Sequence, residues 1–528
     1  MFRTNVQNSC SESHVDIAVV GGGLAGLATA LRLQADGVST AVFEAHGHVG
    51  GCAGYWRHRQ FSFDVGATTL VDFEPGGVGA ELLDAVGMAP VRGEALPGYV
   101  AWLPDRVVTL YRDPAAWHAE RLRAFGDDQR HRELWQTLDR LAAVFWAASR
   151  AGVRLPIRRT ADIVHNVLSV GLGNTPLAAR YLTRTMGDVL RQHGLEHDTP
   201  LRALLGMLVE DTVHSTVERA PAINAALGIT IRGAGLTRHD GGMHGFWRTL
   251  VTRYRDLGGQ LWTGTAVSRV DGARGRFRVV SRRGELSADQ VVLAVPAPNA
   301  AAITAGLPLA RRLERYLRRD RGDLGGAVLV VLGVPEQEVA GLGVPEWEVA
   351  GLGVPEQEVA GPTFTHHQLL QDYEQPYGDG NNMFVSVSAP DDRLSAPAGH
   401  RAVMISTHTE LSTWEELESD EYVQRKKEIG ERLVGYARRV YPALGDRAVV
   451  MDVGTPRTYE RFANRPRGAV GGPHQRLGNS NQFAIPHDLG GPGLWLVGDS
   501  TWPGLGTVAC VLGSRIVADG IRRERRRR

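Results

Sequence analysis

The 528-residue sequence has only 3 cysteines. Cys10, Cys52 and Cys510 lie far apart and form no C-x-x-C pair, which excludes a disulfide scaffold or a cysteine zinc cluster and fits a reducing compartment. No charge sign dominates: 59 Lys+Arg against 58 Asp+Glu leave a formal net charge of +1. Bulk electrostatic binding of nucleic acid is therefore not expected. Lysine is nearly absent, with only Lys426 and Lys427, and arginine stands in its place, the bias that GC-rich codons produce. Long apolar runs are missing too. The opening MFRTNVQNSCSESH has no apolar core, so no secretory signal is expected. The longest uncharged stretch, 291–310, carries three prolines and reads as strand, turn and helix start, so no transmembrane span is expected.

What the chain has in excess is glycine, 64 residues, or about 12% where roughly 7% is usual. Its positions matter more than its number. The apolar run VDIAVV has the character of a buried parallel strand. It leads into Gly21, Gly23 and Gly26, a G-x-G-x-x-G pattern that opens a helix through Leu24 and Ala25. The first glycine permits the tight turn, the second admits a pyrophosphate to the backbone, and the third lets helix and strand pack closely. A second strand, STAVFE, ends at Glu44, whose carboxylate suits a ribose 2′-OH and so FAD or NAD rather than a 2′-phosphorylated cofactor.

Gly50 and Gly51 follow Glu44. An NAD site has no need of this doublet, whereas an extended FAD does. Cys52 beside it is read as a small residue near the phosphates rather than a point of covalent attachment. FSFDVGATTL then reads as a strand ending at Gly66, where backbone is expected to pass close to the flavin. Near the C-terminus, LVGDSTWPGLGTV delivers Gly498 and Asp499 from a strand to a helix beginning at Gly506, Thr507 and Val508. Asp499 suits ribityl or ribose hydroxyls. The helix N-terminus suits the side of a flavin that becomes negative on reduction.

The expected fold is α/β, α+β overall. A Rossmann-like FAD-binding domain is assembled from discontinuous segments, 14–90, 236–300 and 488–522. Segments 91–235 and 301–487 form an inserted substrate-binding domain of helices and a mixed sheet. Three near-identical decapeptides, VLGVPEQEVA, GLGVPEWEVA and GLGVPEQEVA (331–360), are too few and too short for a solenoid and read as a surface loop lengthened by tandem duplication, or else as a segment in which Trp347 marks a membrane or partner contact. Residues 523–528 are a basic tail, either solvated or tethered to an anionic membrane surface.

VVGGGLAGLATALRL, EAHGHVGGCAGYWRHRQFSFDVGATTL, RHDGGMHGFWRTL and LWLVGDSTWPGLGTVACVLGSR together resemble the carotenoid desaturase and isomerase family of FAD-dependent oxidoreductases, along nearly the whole chain. GGVGAELLDAVGM, VTLYRDPAAWHAERLRAF, FTHHQLLQDYEQPYGDGNNMFVSVSAPDDRLSAPAGHRAVMISTHT and TPRTYERFANRPRGAVGG are similar to the bacterial carotenoid 3′,4′-desaturases. The resemblance implies an FAD cofactor, with Val267 meeting the adenine through its backbone. It also implies a carotenoid substrate, monotopic attachment to the cytoplasmic side of the membrane, and an electron acceptor such as quinone or oxygen.

A forty-carbon polyene does not leave a bilayer for water, since each CH₂-sized unit is worth about 0.8 kcal/mol. The segment 161–173, with Ile163, Val164, Val167 and Leu168 beside Arg158 and Arg159, is the candidate membrane contact, or else a core helix. Desaturation needs an allylic hydride lost to flavin and a vicinal proton lost to a weak base. Glu210, Asp211 and His214, clustered in VEDTVHST, are candidates for that base, with caps and ion pairs as the alternative role. His366 and His367 are candidates to line a substrate tunnel; no third ligand stands near them, so no metal is expected. Asp391 and Asp392 read as a turn. The competing activities are cis–trans isomerisation by the same fold, non-enzymatic lipid carriage as in prenyl-binding Rab escort proteins, and protoporphyrinogen or amine oxidation.

Overall fold

The computed structural model describes residues 14–340 and 364–527, and two seven-stranded sheets organise them. In the first, His14–Val20 runs parallel to Thr40–Phe43 on one side and to Gly284–Leu293 on the other. Gln260–Trp262 extends it beyond Thr40–Phe43, and Leu494–Leu496 lies parallel to Gly284–Leu293. Phe277–Ser281 and Val267–Asp271 add antiparallel strands to the other edge. Residues Ile17 to Val19 and Ala41 to Phe43 are buried, as parallel strands covered on both faces must be. Strands from three distant stretches of chain thus share one Rossmann-like sheet.

The helix Leu24–Ala35 carries the apolar residues Leu27, Leu31 and Leu33 into that core. Arg32 on the same helix is 1% exposed. Its guanidinium donates twice to Glu81, at 2.8 and 2.6 Å, and its Nε donates to Ser514 on the C-terminal helix Thr507–Arg525 at 3.2 Å. A buried cation needs such pairing, and here the pairing ties the first helix to the last.

The second sheet has the order Val450–Gly454, Gly326–Pro335, His400–Thr409, Asn382–Val387, His366–Leu370, Gly98–Trp102, Val107–Tyr111. A helical layer from 114–229 packs beside it. Asp113 and Asp198 cap two of its helices by accepting from Ala116 N and Leu201 N, at 2.8 and 3.1 Å. The helix Thr160–Val170 departs from the layer. Ile163, Val164 and Leu168 are 49%, 61% and 69% exposed, so its apolar face is not core.

The sequence expectations need two corrections here. The first decapeptide is not loop: Val331–Pro335 completes the Gly326–Pro335 strand, because its apolar residues continue the run that the sheet buries. Glu338 just beyond is buried, accepting from the backbone of Gly445 and Arg447 at 2.8 and 2.6 Å. The other two copies, with Trp347, lie outside the described residues. The first residues of the basic tail, 523–525, in turn continue the helix Thr507–Arg525, with Arg525 pairing with Asp16 at 2.8 Å and Arg522, just before the tail, with Asp36 at 2.6 Å. Among the described residues no helix is long and apolar enough to cross a membrane.

Candidate active site

A cavity of about 970 Å³ lies where the two sheets meet, lined by the Gly-rich turns of the first and by one face of the second. Its glycines are not equivalent. Gly21 has φ +108°, and a Cβ there would lie 2.3 Å from Ala294 O; a Cβ on Gly26 would lie 2.2 Å from Gly21 O. These two are required by packing within the protein. Gly23, Gly498 and Gly506 border the cavity, and a Cβ on any of them would meet no protein atom within 4 Å. The bare backbone at these three leaves the room that an extended dinucleotide would fill. The second Gly turn joins the same wall, Gly50 N donating to Gly22 O at 3.1 Å and Gly51 lying against Gly23.

Leu24, Ala25, Glu44, Gly66, Val267, Asp499 and Thr507 also line the cavity. Glu44 accepts from Gly22 N at 2.8 Å and His46 N at 2.7 Å, one bond to each carboxylate oxygen. Each oxygen retains a lone pair for a hydroxyl. Burial raises the Glu44 pKa against the pull of these N–H donors. Gly66 is also required by packing: a Cβ there would lie 2.1 Å from Cys52 O. Val508 is not part of the lining; its side chain packs against apolar core. Burial pushes the Cys52 thiol up, and the Cys510 thiol to about 12, so neither is poised as a nucleophile.

Asp499 accepts from Arg465 at 2.8 Å. Burial alone would lower the Arg465 pKa, but the Asp499 charge outweighs it and holds it up. Arg465 had no role in the sequence reading; it lies within TPRTYERFANRPRG, and nothing in its spacing links it to residue 499. The helix Thr507–Arg525 begins at the cavity with no side-chain cap on its N-terminus, leaving its first N–H groups and positive dipole end available to an anionic group.

The second sheet offers one face. Cross-strand register aligns Ala327 with His408, Leu329 with Ser406, and Ser406 with Phe384. All of these line the cavity, as do Val331, Gln368 and Asn382. The wall is thus apolar at Ala327, Leu329 and Val331, and polar at Gln368, Asn382 and His408. Asp211 and His214 face it from the helix Thr199–Val213 and its C-terminal cap. Burial raises the Asp211 pKa and pushes that of His214 well down.

Glu210 stands behind this wall, accepting from Asn382 and lying 3.7 Å from His408. His366 and His367 do not line a tunnel. Both are 0% exposed, His366 stacked on Tyr99 and His367 bonded to Trp102 Nε1 at 3.3 Å and the Tyr441 hydroxyl at 3.0 Å. Alternation turns His367 to the opposite face, while His366, on the same face as Gln368, is covered by Tyr99 and Phe384, so Gln368 alone of the three borders the cavity. Asp392 caps a turn, accepting from Gly241 N at 2.9 Å and Ser395 N at 3.1 Å.

Residues 19–86 match the family model of the NAD(P)-binding Rossmann-like domain. The chain is 24% identical to chloroplastic prolycopene isomerase 1 of an Oncidium hybrid cultivar, over 96% of this chain and 84% of that one. It is 23% identical to the 4,4′-diaponeurosporene oxygenase of Staphylococcus aureus strain MRSA252, over 96% and 97%. Among solved structures, a double mutant of putrescine oxidase superposes with a TM-score of 0.62 at 15% identity, covering 97% of this chain and 99% of its own. The fold is that of this oxidase, and the cavity is that of a Rossmann-type dinucleotide-binding protein. Over nearly its whole length the chain is thus similar to a prolycopene isomerase and a 4,4′-diaponeurosporene oxygenase, in keeping with the carotenoid desaturase and isomerase motifs it resembles; neither relative singles out the 3′,4′-desaturases.

Proposed function

We propose that the protein desaturates a carotenoid, at the C3′–C4′ bond of an acyclic or monocyclic, hydroxylated polyene. The observation that carries this reading is the continuity of the cavity: one wall is a dinucleotide cradle and the opposite wall an apolar sheet face. Bound FAD supplies acceptance of two electrons as a hydride.

The chain's own residues do the rest. Glu44 and the backbone at Gly23, Gly50 and Gly51 hold the adenosine and pyrophosphate, with Val267 beside the adenine, and Asp499 with Arg465 holds the hydroxylated chain. Gly506 and Thr507 present helix N–H groups where negative charge develops. Ala327, Leu329, Val331 and Phe384 exclude water and align the polyene, which delocalises the developing cation itself. Of the three nominated bases, Asp211 and His214 border the cavity and can take the vicinal proton, while Glu210 acts through Asn382 and His408.

Substrate enters from a membrane surface touched by Ile163, Val164 and Leu168, with Arg158 and Arg159 at its margin. Net oxidation of the substrate would need an electron acceptor such as quinone or oxygen.

Cis–trans isomerisation is the second reading, supported by the full-length similarity to prolycopene isomerase. It uses the same cavity with reduced FAD and no net oxidation. Lipid carriage without chemistry leaves the cradle at Glu44, Gly50 and Asp499 without a use. The deciding experiment incubates FAD-loaded protein with a 3′,4′-saturated carotenoid and an electron acceptor. A product two hydrogens lighter with a longer chromophore supports desaturation; a geometric isomer of unchanged mass overturns it in favour of isomerisation.

A further inference from the structure

Desaturation in a cavity whose polyene-facing wall is apolar at Ala327, Leu329 and Val331 poses a problem of proton exit. One C–H bond leaves with its electron pair as a hydride to FAD; the electrons of the vicinal C–H bond form the new C=C, and that second hydrogen remains as a proton. It has to reach water. We propose that His214 takes this proton at the cavity and passes it to His474, which delivers it to the surface, with the Glu210–His408 pair positioning His214. This rests on the desaturation reading.

His214 caps the helix Thr199–Val213 in the left-handed region, φ +48°, a conformation that costs energy for a residue with a side chain. It lines the cavity, is 8% exposed, and its Nδ1 is buried with no hydrogen-bond partner. A Cβ on Gly471 would lie 2.2 Å from the His214 ring, and one on Gly472 would lie 2.5 Å from Asp499 O. The histidine therefore stands one glycine doublet away from the Asp499 end of the cofactor cradle.

Two further rings meet it edge-on, His408 at 4.7 Å and His474 at 6.1 Å between centroids. His408 faces Glu210 at 3.7 Å and Asp211 beyond it. Burial works against a charge on His408, but Glu210 outweighs it and raises the pKa. His408 is engaged by Glu210 on its far side, which leaves His474 as the second ring that His214 meets. Arg465 also faces His214, and Glu210, Asp323 and Arg219 face His474. Asp323 pairs with Arg476 at 2.8 Å and with Arg219, whose side chain is 47% exposed, so the outer end of the path opens on solvent. The His214 and His474 rings meet edge to face with centroids 6.1 Å apart, the shortest approach of His214 to a ring on the solvent side. Among the described residues no three of these groups are placed to share a metal ion.

The test mixes FAD-loaded protein anaerobically with a saturated carotenoid in detergent and follows flavin bleaching. His474→Ala is expected to bleach at least tenfold more slowly and to recover with imidazole in the buffer. His474→Gln, which keeps the volume, is expected to be equally slow and not to recover. Bleaching of His474→Ala at the wild-type rate, or slowness that imidazole does not lift, overturns the relay alone. A wild-type protein that never bleaches overturns desaturation and the relay with it. Independently of turnover, ¹⁵N-histidine spectra of the FAD-free protein are expected to show His408 titrating above the ordinary histidine range and falling in Glu210→Gln. A His408 that titrates unchanged in that variant overturns the positioning role.

Discussion

Arg465 and Asp499 form an ion pair at 2.8 Å with side chains only 10% and 18% exposed, at the edge of the cofactor cradle. Two charges so placed are costly to separate: removing one partner of a buried pair costs about 3–5 kcal/mol, whereas replacing both by apolar groups is often close to neutral. Arg465→Met is therefore expected to lower the urea midpoint sharply. Arg465→Met combined with Asp499→Leu should recover most of that stability. FAD affinity should not recover in the double variant, because the carboxylate itself is gone. Equal FAD binding by wild type and double variant would remove Asp499 from the cradle.

The glycines separate packing from binding. Gly23→Ala places a methyl where no protein atom lies within 4 Å, at an ordinary backbone conformation of φ −72°. Thermal unfolding of the FAD-free protein is expected to stay within a degree or two of wild type, and the FAD Kd to rise at least tenfold. Gly26→Ala, with Gly21 O at 2.2 Å, should instead lower the Tm with or without FAD. A Gly23→Ala protein that binds FAD normally would place the pyrophosphate elsewhere.

The contrast between Gly23 and Arg465 shows what was legible in the sequence. The Gly-rich turns, Glu44 and Asp499 sit beside strands and helices whose local pattern reveals them, and the Rossmann-like sheet follows from the same signals. Arg465 and His408 act through partners 34 and about two hundred positions away, and no spacing encodes that. His366 and His367 misled because the pair stands out in the sequence, whereas the two point to opposite faces of the strand, each covered by its own aromatic neighbours, and only Gln368 borders the cavity. Gly66 shows that a glycine signals close approach without saying to what: its missing Cβ clears Cys52 O, and the residue also borders the cavity. The repeat concealed a strand because copying Val-Pro-Glu three times resembles loop expansion, while the first copy still continues an apolar strand.

Buried histidines set a pH dependence of stability. Burial lowers the pKa of His367 to about 3 and that of His366 well below the usual value. Unfolding frees both to protonate near 6.5. The unfolded chain then binds more protons than the folded one between about pH 3 and 6.5, so stability falls as pH falls through this window. For His367 the loss from pH 7 to pH 5 is on the order of 2 kcal/mol. His408, raised by Glu210, has the opposite sign: its contribution is present below pH 6.5 and is lost as pH rises through its folded value. Urea unfolding is expected to show a lower midpoint at pH 5 than at pH 7, with a shallower fall in His367→Phe. A midpoint independent of pH in wild type would contradict the neutral, buried state of this pair.

The exposed face of the helix Thr160–Val170 makes the membrane contact measurable. Ile163, Val164 and Leu168 are joined on the following turn by Leu172, 75% exposed, and a soluble surface rarely gathers so much aliphatic area in one place. Arg158 and Arg159 flank it, and Arg523 near the end of the C-terminal helix is close enough to feel the charges of Arg154 and Arg159. Transfer of each large aliphatic side chain is worth about 1.5–3 kcal/mol, and each arginine near an anionic leaflet about 1 kcal/mol. Ile163→Asp with Leu168→Asp should therefore cut partition onto phosphatidylglycerol-containing vesicles by more than a hundredfold, while FAD binding and Tm stay as in wild type. Raising the salt should weaken the wild-type partition without abolishing it, since the apolar part is not screened. Partition that is unchanged in the double variant would return this face to ordinary surface and require the polyene to enter elsewhere.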